Sequence, residues 1–112
     1  MNDGLVVDLT HLDGSALLIV RGQLDMASAP AFRSAMEQAM ALEIPVLVDC
    51  DGVTFMDSSG LNALLLAQKN ADRPGLVRVL NPSRQVRRLL AMTGLEHLTS
   101  PDVTVSSETD GV

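Results

Sequence analysis

Residues 46–65 read VLVDCDGVTFMDSSGLNALL, and the way this stretch divides decides the fold. Val46–Cys50 is short, apolar and rich in valine, the composition of a buried strand. Asp51-Gly52 is a turn signal, and Val53–Met56 leads out of it. From Ser58 the leucines recur at helical spacing, which predicts a helix from about Ser58 to Ala71. A buried strand, a short polar exit and an amphipathic helix make one βα unit, the building block of an α/β sheet with parallel strands.

The start of that helix needs a cap, and Asp57 and Ser58 are both good candidates. With Asp57 as the cap, Met56 and Leu61 occupy the two positions of a hydrophobic staple. With Ser58 as the cap, the same positions hold Asp57 and Asn62, and no staple exists. Asp57 is therefore assigned to the cap, with Ser59 and Gly60 completing the supporting loop. Ser58 falls at the first helical position, where its hydroxyl faces solvent. Free N–H groups and the positive end of the helix dipole there favour an anion. A phosphate on Ser58 would add about −1.5 to −2 charge beside Asp57. Further along, Leu61, Leu64 and Leu65 share the face expected to pack on the sheet, with Gln68 at its edge. Leu66 lies about 140° from Leu61 and is expected on the outer side with Asn62.

The flanking sequence extends the pattern. Leu5–Leu9 and Ala16–Arg21, around Asp13-Gly14, predict a hairpin with a loop longer than two residues, and Gly22 is read as the end of the second strand. Pro30 follows Ser28-Ala29, and Phe32, Ala35, Met36, Ala39 and Met40 predict a helix over about residues 29–42, with Pro45 ending the connection. Asp72-Arg73-Pro74-Gly75 reads as a loop and Leu76–Leu80 as a strand. Asn81-Pro82-Ser83 opens a helix to about Thr93, and Gly94 suits its C-terminal cap. Leu95–Thr99 is expected to add a short edge strand. The order β-β-α-β-α-β-α predicts one α/β domain over residues 1–100, a mixed four- to five-stranded sheet with helices mainly on one face. Residues 101–112 read as a polar C-terminal tail. The loops that precede the helices gather at one end of the sheet, where such folds place their function.

Composition narrows the function. The 112 residues are 46% hydrophobic and 20% charged, enough to bury a core, and with Phe32 and Phe55 as the two aromatics that core must be built from Leu, Val, Ile, Ala and Met. A net charge of −6 argues against nucleic-acid binding, which needs clustered positive charge. Cys50 is the single cysteine, the N-terminus lacks the features of a signal peptide, and no apolar run is long enough to span a membrane. Together these predict a cytoplasmic protein that does not insert into a membrane.

Catalytic readings of Ser58 fare poorly. A hydrolase would need a histidine base, and the chain has His11 and His97, one in the first hairpin and one near the end of the domain. The nucleophile-elbow pattern fails because Met56 stands where its first glycine belongs. One cysteine and two separated histidines make no metal cluster, and the lysine of a phosphate loop is missing. Arg84, Arg87 and Arg88 share one side of the third helix and read as a solvated face opposite Val86, Leu89 and Leu90, with a basic docking site or phosphate contact as the less favoured reading. No catalytic residue, metal or cofactor is expected.

The motifs together resemble the STAS domain, and within it the bacterial anti-sigma factor antagonists. The resemblance rests on VLVDCDGVTFMDSSGLNALL, on Arg21-Gly22-Gln23-Leu24-Asp25, on Leu76–Leu80 and on VRRLLAMTGL over residues 86–95, and it covers about Leu5 to Thr99. It implies that the unphosphorylated protein binds an anti-sigma factor that is also an ATP-dependent serine kinase, and so releases a sigma factor. It implies phosphorylation of Ser58, loss of binding, and restoration by a serine phosphatase. Asp25 matches an aspartate near the family's phosphorylation site and, with Asn62 and Leu66, is an expected partner contact. Gln23 and Asn62 depart from the residues the family often carries. The alternative within the same fold is a STAS subunit of a transport or stress-sensing complex with a different partner.

Overall fold

The computed structural model describes residues 4–71 and 76–99. Among them run β1 (Leu5–Leu12), β2 (Ser15–Leu24), α1 (Ala29–Met40), β3 (Val46–Met56), α2 (Ser58–Lys69), β4 (Val77–Leu80) and α3 (Arg84–Met92), followed by a short 3₁₀ turn, Glu96–Leu98. The sheet order is β1-β2-β3-β4, with β1 antiparallel to β2 and the later pairs parallel. Each parallel step adds a strand on the same side. Right-handed crossovers therefore carry the helices to one face. That face holds Ala16, Leu18, Val20, Val46, Val48 and Val79, which join Phe32, Met36, Leu64, Val86 and Leu90 in one buried cluster. On the other face Leu17, Ile19 and Leu47 stay half-buried.

Two glycine signals that read as breaks are accommodated inside strands. Asp51-Gly52 does not reverse the chain: β3 runs through it to Met56. The pairing with β2 shifts there, Ile19 facing Asp49 but Arg21 facing Gly52, and shifts again before Gln23 faces Phe55. Each shift places an extra residue on β3, which is a β-bulge. The bulges change the spacing of inward residues from two (Val46, Val48, Cys50) to three (Val53, Met56), so all five are buried. Gly22 likewise lies within β2 at φ 102°, where a side chain would collide with the Gly4 carbonyl, and the strand continues to Leu24.

Other boundaries moved for local reasons. Leu12 pairs with Ser15, so the hairpin loop is the two residues Asp13-Gly14. Their φ of 41° and 85° suit a type I′ turn, which matches strand twist and lets β1 extend past Leu9. Leu95–Thr99 forms the 3₁₀ turn and one isolated bridge, Val79 to Thr99, in place of an edge strand. Gly94 takes φ 73° just beyond the end of α3, as a C-terminal cap requires. The expected Asp72–Gly75 loop and the 101–112 tail lie outside the described residues. No helix among the described residues is long and apolar enough to cross a membrane.

Candidate functional site

The sheet brings two loop entrances together. Leu24 pairs with Met56 at the ends of β2 and β3, and the Asp57 N–H donates to the Leu24 carbonyl at 3.2 Å. The chain therefore leaves the sheet at Asp25 and at Asp57 side by side.

Asp57 is the cap of α2. Its backbone is extended, and one carboxylate oxygen accepts from the N–H of Ser59 at 2.8 Å and of Gly60 at 3.3 Å. Met56 and Leu61 are both buried, as the two ends of a staple must be. Ser58 is exposed at the first position of the helix, with no capping duty. The anion site is smaller than the sequence suggests. Asp57 already occupies two of the helix-start donors, which leaves the Ser58 N–H as the open one.

Gly60 explains why the turn is tight. A Cβ there would meet the Leu24 carbonyl oxygen at 2.9 Å and the Leu24 and Met56 side chains at 3.0 Å. The glycine lets the first turn of α2 sit directly against the ends of β2 and β3.

Asp25 shares this end of the sheet, but its carboxylate is engaged within its own loop. It accepts from the Ala27 and Ser28 N–H groups, each at 3.1 Å. Ser28, buried to 1% exposure, donates its hydroxyl to the Gln23 carbonyl at 2.8 Å and accepts from the Asp25 N–H at 3.0 Å. Asp25 and Ser28 thus hold the β2–α1 loop in one shape. Met26, between them, is 76% exposed, and Phe55, beside Gln23, is 43% exposed.

On α2 the buried face is Leu61, Ala63, Leu64 and Ala67; Leu65 is only half-buried. The stripe is rotated from the one the leucines alone suggest. Ala63 and Ala67 are buried on the side of α2 that faces α1, with residues of both helices lining the groove between them. Asn62 and Leu66 lie outside it, both exposed. Leu66 borders a groove of about 620 Å³ between α1 and α2, whose other walls include Arg33, Met36, Glu37 and Met40. The groove carries no serine, cysteine or histidine, and lies two turns along α2 from Ser58.

One residue of the site gave no signal in the sequence. Gln85, on the first turn of α3, accepts from the Met56 N–H at 2.7 Å and donates to the Met56 carbonyl at 3.3 Å. Met56 is buried, and leaving its N–H without a partner would cost about 1–3 kcal/mol. In the sequence Gln85 is one more polar residue on a helix surface. Its role depends on β3 being longer than β4.

The family of the chain follows from comparison. The model of the STAS domain matches residues 6–109, and a STAS-domain containing protein of Pseudomonas aeruginosa is 32% identical over 95 residues, 83% of this chain and 94% of that protein. The chain belongs to the STAS domain family. Solved structures agree on the fold. An anti-sigma factor antagonist from Mycobacterium paratuberculosis aligns with a TM-score of 0.82 at 24% identity, covering 98% of each chain. The anti-sigma factor antagonist SpoIIAA aligns at 18% identity, with TM-scores of 0.67 unphosphorylated and 0.64 phosphorylated. The first alignment covers 95% of this chain and all of SpoIIAA, the second 90% and 97%.

In this STAS domain no histidine is placed to activate Ser58. His11 lies in β1 opposite Ala16, at the other end of β2 from Leu24. At strand spacing that is about 25 Å from the site. His97 sits on the 3₁₀ turn beside Thr99, which bridges Val79, itself paired with Val48, and is also far down β3 from Met56. Cys50 is fully buried, and burial, with Asp49 adding repulsion, pushes its thiol up from 9.0 to about 12. Among the described residues no cluster of histidine, cysteine or carboxylates suits a metal ion. Arg84, Arg87 and Arg88 are exposed on α3, with Val86 and Leu90 buried on its opposite side.

Proposed function

We propose that this STAS domain is an anti-sigma factor antagonist. Unphosphorylated, it binds an anti-sigma factor that is also an ATP-dependent serine kinase, and a sigma factor is released. Phosphorylation of Ser58 ends that binding, and a serine phosphatase restores it. The observation that carries the reading is the division of labour at the start of α2: Asp57 caps, and Ser58 is exposed and structurally unemployed. A kinase can modify such a hydroxyl without disturbing the fold.

The electrostatics supply the switch. The protein carries a net charge of −6, and a phosphate on Ser58 would add about −1.5 to −2 more within a residue of Asp57. The one open N–H at the helix start offsets little of it. A partner surface complementary to a neutral hydroxyl, an amide at Asn62 and an apolar Leu66 then meets concentrated negative charge. Asp25 contributes to that surface through the loop it shapes. The mode of action places the protein in the cytoplasm.

Affinity capture of the dephosphorylated protein, with phosphosite mapping on the same sample, tests this. Recovery of an ATP-binding serine kinase and a single phosphate on Ser58 is the expected result. Ser58→Ala should bind the kinase constitutively, and Ser58→Asp should bind weakly while melting within a few degrees of wild type. Phosphate on Ser59 would refute the site. Recovery of a membrane transporter or a large stress-sensing assembly in place of the kinase would favour the other use of the fold, a STAS subunit.

A further inference from the structure

Residue Met56 is where β3 hands the chain to the Ser58 loop, and its peptide groups face away from β2. On the β2 side the next residue, Asp57, donates its N–H to the Leu24 carbonyl. On the other side β4 pairs with β3 only from Val46 to Asp49, so no described strand reaches Met56. The Gln85 carboxamide fills the place of a missing strand residue. It is planar, with an NH2 donor group beside a carbonyl acceptor, and it meets both the N–H and the carbonyl of Met56. A second tie keeps it in register: the Ser83 N–H donates to the Cys50 carbonyl at 3.2 Å, and the Ser83 hydroxyl accepts from the Val86 N–H to cap α3. The start of α3 is thus pinned to β3 at two levels.

We propose that Gln85 is the positioning residue for Ser58. With both peptide groups of Met56 held, the direction in which the chain enters Asp57 is fixed. That direction sets the Asp57 carboxylate 2.8 Å from the Ser59 N–H and turns Ser58 outward. The pairing is specific to glutamine. Glutamate keeps the acceptor for the Met56 N–H but loses the donor for its carbonyl, and asparagine is one methylene too short. The inference rests on the proposed function only in naming a kinase as the user of the presented hydroxyl; the clasp itself stands on geometry.

The test compares the full-length wild type with Gln85→Met, which keeps length and apolar bulk but has no amide, and with Gln85→Glu. Amide hydrogen exchange is followed at Met56, Ser59 and Gly60, with Val48 and Val79 as core references. Phosphorylation of Ser58 by the captured kinase is followed in parallel. In Gln85→Met, exchange at Met56, Ser59 and Gly60 should quicken about tenfold or more while Val48 and Val79 hold. The kcat for Ser58 labelling should fall with KM little changed, and Gln85→Glu should lie between the two. Faster exchange at Met56 with wild-type protection at Ser59 and Gly60, and wild-type labelling, would overturn the proposal. Equal acceleration everywhere would overturn it too, since that is general loss of stability. A wild-type protein that no serine kinase labels would count against the proposed function and not against the clasp, which the exchange at Ser59 and Gly60 decides independently.

Discussion

Gly60 shows how narrow the tolerances are at the level of single residues. Its position in α2 is helical, so its use is space and not backbone freedom: the Leu24 carbonyl oxygen stands 2.9 Å from where a Cβ would be. A backbone carbonyl in a sheet cannot give way easily. Gly60→Ala, a substitution that would stabilise an isolated helix, should therefore cost about 1–3 kcal/mol here. Urea denaturation measures it, and a gain in stability would show that the ends of β2 and β3 can shift. Asp57 and Ser58 divide the work of the turn between capping and presentation. This much was legible beforehand, because a staple between Met56 and Leu61 exists in only one register. The crowding around Gly60 and the Gln85 clasp were not legible, since both depend on atoms more than twenty residues away in the chain.

At the level of elements, α2 packs through two sides and presents a third. Leucines mark the face toward the sheet, and Ala63 with Ala67 marks the approach to α1. Sequence periodicity weighted the large residues and so placed Leu65 inward, whereas Ala63 and Ala67 are the residues buried on that side. Leu66, 38% exposed, belongs to neither buried side. Leu66→Ala should change stability by no more than about 0.5 kcal/mol. Leu64→Ala, at a buried position, should cost about 2–5 kcal/mol. Chemical denaturation separates the two, and loss of kinase capture by Leu66→Ala alone would tie the exposed leucine to the partner. β3 offers the complementary lesson. Asp51-Gly52 did signal irregular backbone, but a strand paired with β2 on both sides of it resolved it as a bulge and not as a reversal.

For the molecule as a whole, stability at alkaline pH follows from Cys50. Its thiol is fully buried in the centre of β3, and its folded pKa is raised to about 12. A raised folded value favours the protonated form, so the full contribution is present below about pH 9. It declines as pH rises toward 12, by at most about 1.4 kcal/mol per pH unit. Urea midpoints of wild type and Cys50→Ala between pH 7 and 11 should converge above pH 9; parallel curves would mean the thiol is not protected. The sequence by itself determined the α/β class, the order of the elements and the capped serine turn, because propensity, periodicity and capping act over a few residues. Only the tertiary structure decided where Asp51-Gly52 bulged, which face of α2 met α1, and that Gln85 would complete the edge of β3. Those outcomes depend on which strand is longer than its neighbour and on what a side chain would strike across the sheet, and neither can be read from residues adjacent in the chain.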